Sequence, residues 1–140
     1  MEPTEKPRYP VVFVAGIDEE HEAIGRIVDE MAAGLCRAAP KKDLVRITRR
    51  LVDCVEKHFA HEERLMKTER YESFDWHKRQ HNAARKRLRE FVRPVEKGDD
   101  VAAGVMITFL SAWLEGHAGL ADSMMGAFLR NRKRGRAGRF

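Results

Sequence analysis

Cysteine is scarce in this chain: the 140 residues hold two, Cys36 and Cys54, and neither has a partner at CxxC spacing. That excludes a disulfide framework and leaves two reduced thiols on or near helix faces, as in a cytoplasmic protein. Long apolar runs are missing as well. No 18 consecutive apolar residues occur and residues 1–8 lack the apolar core of a signal peptide, so a soluble, unexported protein with no transmembrane segment is expected. Internal repeats are absent, no segment alternates polar and apolar residues long enough for a sheet, and the short apolar run at 11–14 has no second strand to pair with. Acid is missing from the last eleven residues, which hold Arg130, Arg132, Lys133, Arg134, Arg136 and Arg139. Taking these six cations from the formal charge of +5 leaves residues 1–129 at −1. The high pI therefore belongs to the tail, and charge gives no reason to expect a nucleic-acid surface on the body. A chain of this length holds one domain with a real core and has no room for a second.

What the chain does have is histidine in helical register. His58 with Glu62, then His77 with His81, form two pairs spaced i, i+4. On an α-helix the members of such a pair stand about 40° apart around the axis and roughly 6 Å apart along it, so both can reach one metal site. The polar run at 67–73 between the pairs is long enough to reverse the chain, which lets two antiparallel helices present their pairs at one height.

The flanking sequence keeps the same period. Asp18 is a candidate N-cap for a first helix whose stripe is His21, Ile24, Val28, Met31 and Leu35, ended by Pro40. A second helix is predicted from Lys41 to about Lys67, with Leu44, Thr48, Leu51, Val55, His58, Glu62 and Leu65 inside. Ser73 can cap a third, which carries Phe74, His77, His81, Ala84, Leu88, Phe91 and Val95 before Gly98 stops it. A fourth starts at Asp99 or Asp100 and turns Met106, Leu110, Trp113, His117, Leu120 and Met124 inward. The fold predicted is all-α: an up-down-up-down antiparallel four-helix bundle over residues 1–129, with an extended N-terminal arm packed across it. A basic, flexible tail is expected at 130–140.

All four stripes contain histidine. His21, His58, His77, His81 and His117 lie on them, while His61 lies on the flank of its helix and reads as a rim residue. A single core histidine is ordinarily a hydrogen-bonded packing residue. Five of them with a carboxylate are another matter, because without an ion they would leave buried polar groups unpaired at roughly 1–3 kcal/mol each. No inner position of the other three helices offers a Lys or Arg to Glu62. Glu63 is rotated outward and reads as a solvated charge. Asp122 stands i, i+5 from His117, about 140° round the helix; it would reach a metal only if that metal lay beside the helix, and spacing leaves the matter open.

Together these pieces resemble the hemerythrins, specifically the single-domain bacterial members. The matching segments are Asp18-Glu19-Glu20-His21, the run from His58 through Glu62 to Met66, the run from His77 to His81, and Trp113-Leu114-Glu115-Gly116-His117 with Asp122. The resemblance implies a non-heme centre of two iron ions, oxo- or hydroxo-bridged and carboxylate-bridged. His77, His81 and His117 would hold one iron and His21 and His58 the other, with Glu62 and Asp122 bridging; so the resemblance makes Asp122 a ligand. The iron with two histidines keeps an open position, where the family binds O2. Leu114 matches a family residue that lines the O2 pocket, and Trp113 and Ile24 are apolar neighbours expected to exclude water. Gly116, Ala118 and Gly119 depart from the family, which usually carries a bulky side chain near this histidine, and they predict a looser pocket. Gly126 is expected to weaken the helix.

The leading function is then a reversible O2 carrier, store or sensor without turnover. The alternative is a diiron enzyme acting on peroxide or another small oxidant, or one that stores or detoxifies iron. The chain lacks the Glu-rich ligand set of ferritin-like oxidases, which favours binding. A metal-free helical scaffold is the third reading. The basic tail is expected to be a solvated segment or a salt-sensitive attachment to an acidic protein, an anionic membrane or nucleic acid.

Overall fold

In the computed structural model, which describes the backbone of residues 6–137 and the side chains of residues 6–135, the apolar stripes become an antiparallel four-helix bundle. The helices are α1 (Ala15–Cys36), α2 (Lys41–Thr68), α3 (Phe74–Glu96) and α4 (Asp100–His117). A single π-helical turn, Ala118–Asp122, joins α4 without a break to α5 (Ser123–Ala137), so α4 and α5 act as one long fourth helix. Each helix packs on its two neighbours, α1 on α2 and α4, α3 on α2 and α4. No strand occurs among the described residues.

The burial pattern follows the stripes closely on α3, where His77, His81, Ala84, Leu88, Phe91 and Val95 are buried and Phe74 half-buried. The helix stops at Gly98, whose φ of +92° is open to glycine and strained for other residues. Asp99 then caps α4 by accepting from the Ala102 N–H at 3.0 Å. On α2 the inner row ends at Met66 in place of Leu65. Ser73 does stand at the N-cap of α3, yet its side chain makes no capping bond.

Three expectations are corrected. First, α1 begins at Ala15 with Val14 as its N-cap. Asp18 lies inside the first turn and spends its carboxylate on the arm, accepting from the Val12 and Phe13 N–H groups at 2.9 and 3.0 Å. Second, Leu120 and Met124 are 59% and 45% exposed, whereas Ala121, Asp122 and Met125 are fully buried. The π turn holds one residue more than an α turn, and it rotates everything after His117 by one position. Trp113 likewise lies on the flank, half-buried, and Leu114 takes the inner place. Third, the basic segment does not fray at Arg130: α5 stays helical to Ala137. Residues 1–5 of the arm and 138–140 of the tail lie outside the described residues.

Two apolar clusters divide the interior. The larger unites Ile24, Val28, Leu51, Val55, Phe59, Leu88, Leu110 and Leu114 among others. The smaller joins Val12, Ile17, Met66, Tyr71 and Met125. The arm closes the second cluster by lying along the fourth helix, with Pro10 beside Gly119 and the Val12 carbonyl beside Gly126. At Gly126 a Cβ would stand 2.7 Å from that carbonyl, so the residue is glycine for close approach and is more than a weak point in the helix. By length and composition the stretch Asp100–Gly135 could cross a membrane. Its buried face nevertheless packs on α1 and α3 and carries His117 and Asp122, which makes it a core helix.

Gly116 and Gly119 are exposed and turned away from the interior, so the looser pocket expected from them does not follow; Ala118 is fully buried in the larger cluster. A Cβ at Gly116 meets nothing within 4 Å. Gly116→Ala is therefore expected to stabilise the fold by about 0.5–1 kcal/mol, and Gly126→Ala to destabilise it by about 1–3 kcal/mol by displacing the arm. Urea unfolding of both variants, with protease cleavage of the arm as a second readout, measures the pair; equal stabilities would remove the arm contact from the account.

Candidate metal centre

At the junction of the two apolar clusters, seven ionisable side chains from four helices converge. His21 comes from α1, His58 and Glu62 from α2, His77 and His81 from α3, His117 from the end of α4 and Asp122 from the π turn. None is more than 4% exposed. The helical pairs behave as their spacing predicts, and every histidine turns its Nε2 inward. On one side, the Nε2 atoms of His77, His81 and His117 lie 3.0–3.1 Å apart in two of their pairs. Glu62 Oε1 is 3.1 Å from His77 and 2.9 Å from His81, and Asp122 Oδ1 is 3.1 Å from His77 and 3.0 Å from His117.

The other side is smaller. His58 Nε2 lies 3.1 Å from Glu62 Oε2, and His21 Nε2 lies 3.0 Å from Asp122 Oδ2 and 3.9 Å from Glu62 Oε2. Each carboxylate thus gives one oxygen to each side, and the cluster resolves into two overlapping donor groups: three histidines or two, with Glu62 and Asp122 common to both. Asp122 gets there through the π turn. The i, i+5 offset that puts it on the flank of an α-helix is close to one full turn where the helix is widened by a residue, so His117 and Asp122 face the same point.

A shell of hydrogen bonds aims the rings. His58 Nδ1 lies 2.7 Å from Glu20 Oε1, His81 Nδ1 2.7 Å from Glu63 Oε2, and His117 Nδ1 2.9 Å from Gln80 Oε1. A proton held at Nδ1 leaves the Nε2 lone pair free to point inward. Glu63, expected to be a solvated charge, is instead fixed by His81 and by Arg85, which also grips Glu56. His61 sits at the rim as expected, but it shares Glu20 with His58 through a 2.6 Å bond. Sequence reasoning passed over Glu20, Glu63 and Gln80 as partners. The available signal was that each directly precedes or follows a ligand, where a carboxylate or amide can meet the outer nitrogen of a histidine on the next helix. Among the apolar candidates, Leu114 and Ile24 are fully buried in the larger cluster. Trp113 stacks on His117 with centroids 4.3 Å apart, on the three-histidine side.

Does this donor set fit metal? With their Nδ1 protons engaged, His81 and His117 confront each other across 3.1 Å with two Nε2 lone pairs, an arrangement that repels unless a cation lies before them. His21 Nε2, His58 Nε2, Glu62 Oε2 and both Asp122 oxygens are buried without a hydrogen bond, although they approach other polar atoms closely. Short approaches with the wrong direction for hydrogen bonds are what donors aimed at a common ion produce. Ligands about 2.1 Å from an octahedral ion stand about 3.0 Å apart, which matches the spacing here.

Without metal, the charges hold each other. Burial opposes ionisation of His58, but Glu20 and Glu62 outweigh it and raise its pKa to about 10. His77 rises against burial to about 9 through Asp122 and Glu62. Burial pushes the Glu62 carboxyl up, yet four histidines hold it well below the usual range. Asp122, opposed by burial and by the charge of Glu62, is held at about 2 by His117, His21 and His77.

Comparison with known proteins adds the family. A model described as the hemerythrin HHE cation binding domain matches residues 12–129. Among curated proteins, Myohemerythrin of Theromyzon tessulatum is 28% identical over 107 residues, covering 76% of this chain and 77% of that protein. No solved structure gives a significant match.

Three outcomes are expected. The depressed carboxylates contribute stability that is present above pH about 4 and lost as pH falls toward about 2; the raised histidines contribute stability present below about 6.5 and lost as pH rises through about 9 to 10. Thermal melts of chelator-treated protein should therefore peak between these limits, while metal affinity, which needs neutral imidazoles, should tighten from pH about 6 to about 8. A metal-free protein that grew steadily more stable from neutral pH to pH about 10 would contradict the charge assignment. Glu63→Ala, which frees the Nδ1 proton of His81, should weaken metal binding about 10- to 100-fold in a chelator competition.

Proposed function

Because the chain belongs to the hemerythrin family, we propose that its cluster would hold two iron ions, one in each donor group with Glu62 and Asp122 shared between them, and that it binds O2 reversibly as a carrier, store or sensor. The observation that carries this reading is the unequal histidine count, three imidazoles against two across one shared carboxylate pair. The first group would offer an ion five protein donors and the second four, so the second would have the more room for a small ligand. Imidazole with carboxylate suits iron, although affinity alone would also admit zinc or manganese. Iron held there would supply electrons to O2 and a place for it to bind.

The chain's own residues supply the surroundings. Glu20 keeps the Nδ1 proton of His58 in place and so holds its Nε2 toward the interior. Leu114 and Ile24, buried in the apolar cluster that adjoins the ligands, support the exclusion of water. Trp113 covers the three-histidine side, so we assign it to shielding His117 and leave the open position to Leu114 and Ile24. The free thiols of Cys36 and Cys54 support placement in the reducing cytoplasm.

Elemental analysis is expected to find two irons per chain. The reduced protein should gain a visible absorption band in air and lose it under vacuum, and Leu114→Ala should shorten the life of the oxygenated form several-fold. If air instead oxidises the protein in one irreversible step and the product turns over peroxide with an added reductant, the enzyme reading takes its place. Tightly bound zinc without iron would end both.

A further inference from the structure

Six large hydrophobic side chains are exposed among the described residues, and two of them, Val11 and Phe13, lie at the tip of the arm. The arm follows the fourth helix from Gly119 to Arg130. Leu120 and Met124 belong to another face of that helix, since Met124 stands about 200° round from Gly126, which the arm covers. Beyond Arg130, residues 131–135 of α5 are all exposed and include Arg132, Lys133 and Arg134, of which Lys133 and Arg134 share a face with Arg130. Arg132 lies 3.6 Å from Glu69. No carboxylate among the described residues pairs with Lys133 or Arg134.

Phe13 joins the apolar and the basic parts. It is 72% exposed and has a φ of +62°, a left-handed conformation that favours glycine over a bulky aromatic. Two bonds hold it there: Asp18 accepts its N–H at 3.0 Å, and Arg130, which donates to the Val12 carbonyl, places its guanidinium 5.5 Å from the ring. Stability of the fold gives no reason for an aromatic at such a position. Scattered surface hydrophobics are ordinary, and cations at a helix C-terminus complement its dipole, but neither accounts for a strained, outward phenylalanine set beside Arg130 where the exposed basic end of the helix begins.

We propose that this end of the bundle, the arm tip together with the basic end of the fourth helix, docks on an anionic lipid bilayer. Phe13 and Val11 meet the boundary between headgroups and acyl chains, and Arg130, Lys133 and Arg134 meet the anionic headgroups. A nucleic-acid backbone would use the cations but has no place for outward apolar side chains, which favours the bilayer. The inference stands independently of what the metal centre binds.

The test uses the full-length, metal-loaded protein with phosphatidylcholine vesicles, with vesicles containing about one-third phosphatidylserine, and with a DNA duplex, at low and physiological salt. Binding is expected to the anionic vesicles alone and to weaken with salt. The double variant Lys133→Glu/Arg134→Glu should lower vesicle affinity by about five-fold or more per cation. Phe13→Gly, which relieves the strained φ, should melt no lower and keep its metal yet bind the anionic vesicles about five- to ten-fold more weakly; Val11→Ser is the second probe should that variant fold poorly. Absence of vesicle binding overturns the proposal. So does vesicle binding that both apolar variants leave unchanged, and so does tighter binding to the duplex than to anionic vesicles, which would reassign the surface to nucleic acid.

Discussion

The constraint on which the structure depends is the burial of seven ionisable side chains in the dry interior of a small bundle. Left unpaired, each buried polar group costs about 1–3 kcal/mol, and together they would consume a large part of the 5–15 kcal/mol by which a domain of this size is ordinarily stable. Imidazoles and carboxylates can offset one another in part, as their opposed pKa shifts indicate. They cannot do so completely, because the Nε2 atoms also face one another. A cation between them would convert the worst feature of the core into a crosslink that ties all four helices at a single height.

Other features follow from that requirement. A carboxylate common to both donor groups must turn one oxygen toward each. Glu62 does this from a regular helix because it shares a face with His58, one turn earlier. The fourth helix has to present His117 and Asp122, five positions apart, and it does so by taking on the extra residue of a π turn. The rotation that results sends Leu120 and Met124 outward and Met125 inward. The arm then seals the apolar cluster beneath, tied down by Asp18 and by the close approach that Gly126 permits.

How far the sequence could be read depended on regularity. The α3 stripe was legible almost residue for residue because nothing interrupts its period, and so were the ligand histidines, which share stripes with Leu and Val. The π turn was not legible from periodicity, since any helical wheel assumes one residue count per turn. Asp122 therefore looked like a flank residue until resemblance to a family argued otherwise, and Leu120 and Met124 were placed on the wrong face. Glu63 looked solvated because a helical wheel describes one helix at a time. It cannot show that Arg85 and His81 of the neighbouring helix reach over to claim a carboxylate on the shoulder. Asp18 misled in a third way: an acidic residue ahead of an apolar stripe suits an N-cap, but it suits equally a residue of the first turn that captures the incoming chain.

The two sides of the cluster are also built with different stiffness. On the three-histidine side, His81 is held by Glu63 at one edge and stacked flat on Phe59 at 4.1 Å, and His117 is held by Gln80 and stacked on Trp113. Arg85 locks that arrangement by binding both Glu63 and Glu56 while lying over Phe59. On the two-histidine side, His58 depends on Glu20, which is one-third exposed and shared with His61 at the rim. The Nδ1 of His21, like that of His77 on the other side, has no hydrogen-bond partner, but the His21 ring also lines a cavity of about 400 Å³ beneath the arm with Tyr9, Pro10 and Glu22. The proposed exchange of a small ligand calls for one position that keeps its geometry and one whose surroundings can yield. Clamping His81 and His117 while leaving His21 against a cavity distributes rigidity in that sense, with the looser surroundings on the side that has fewer donors.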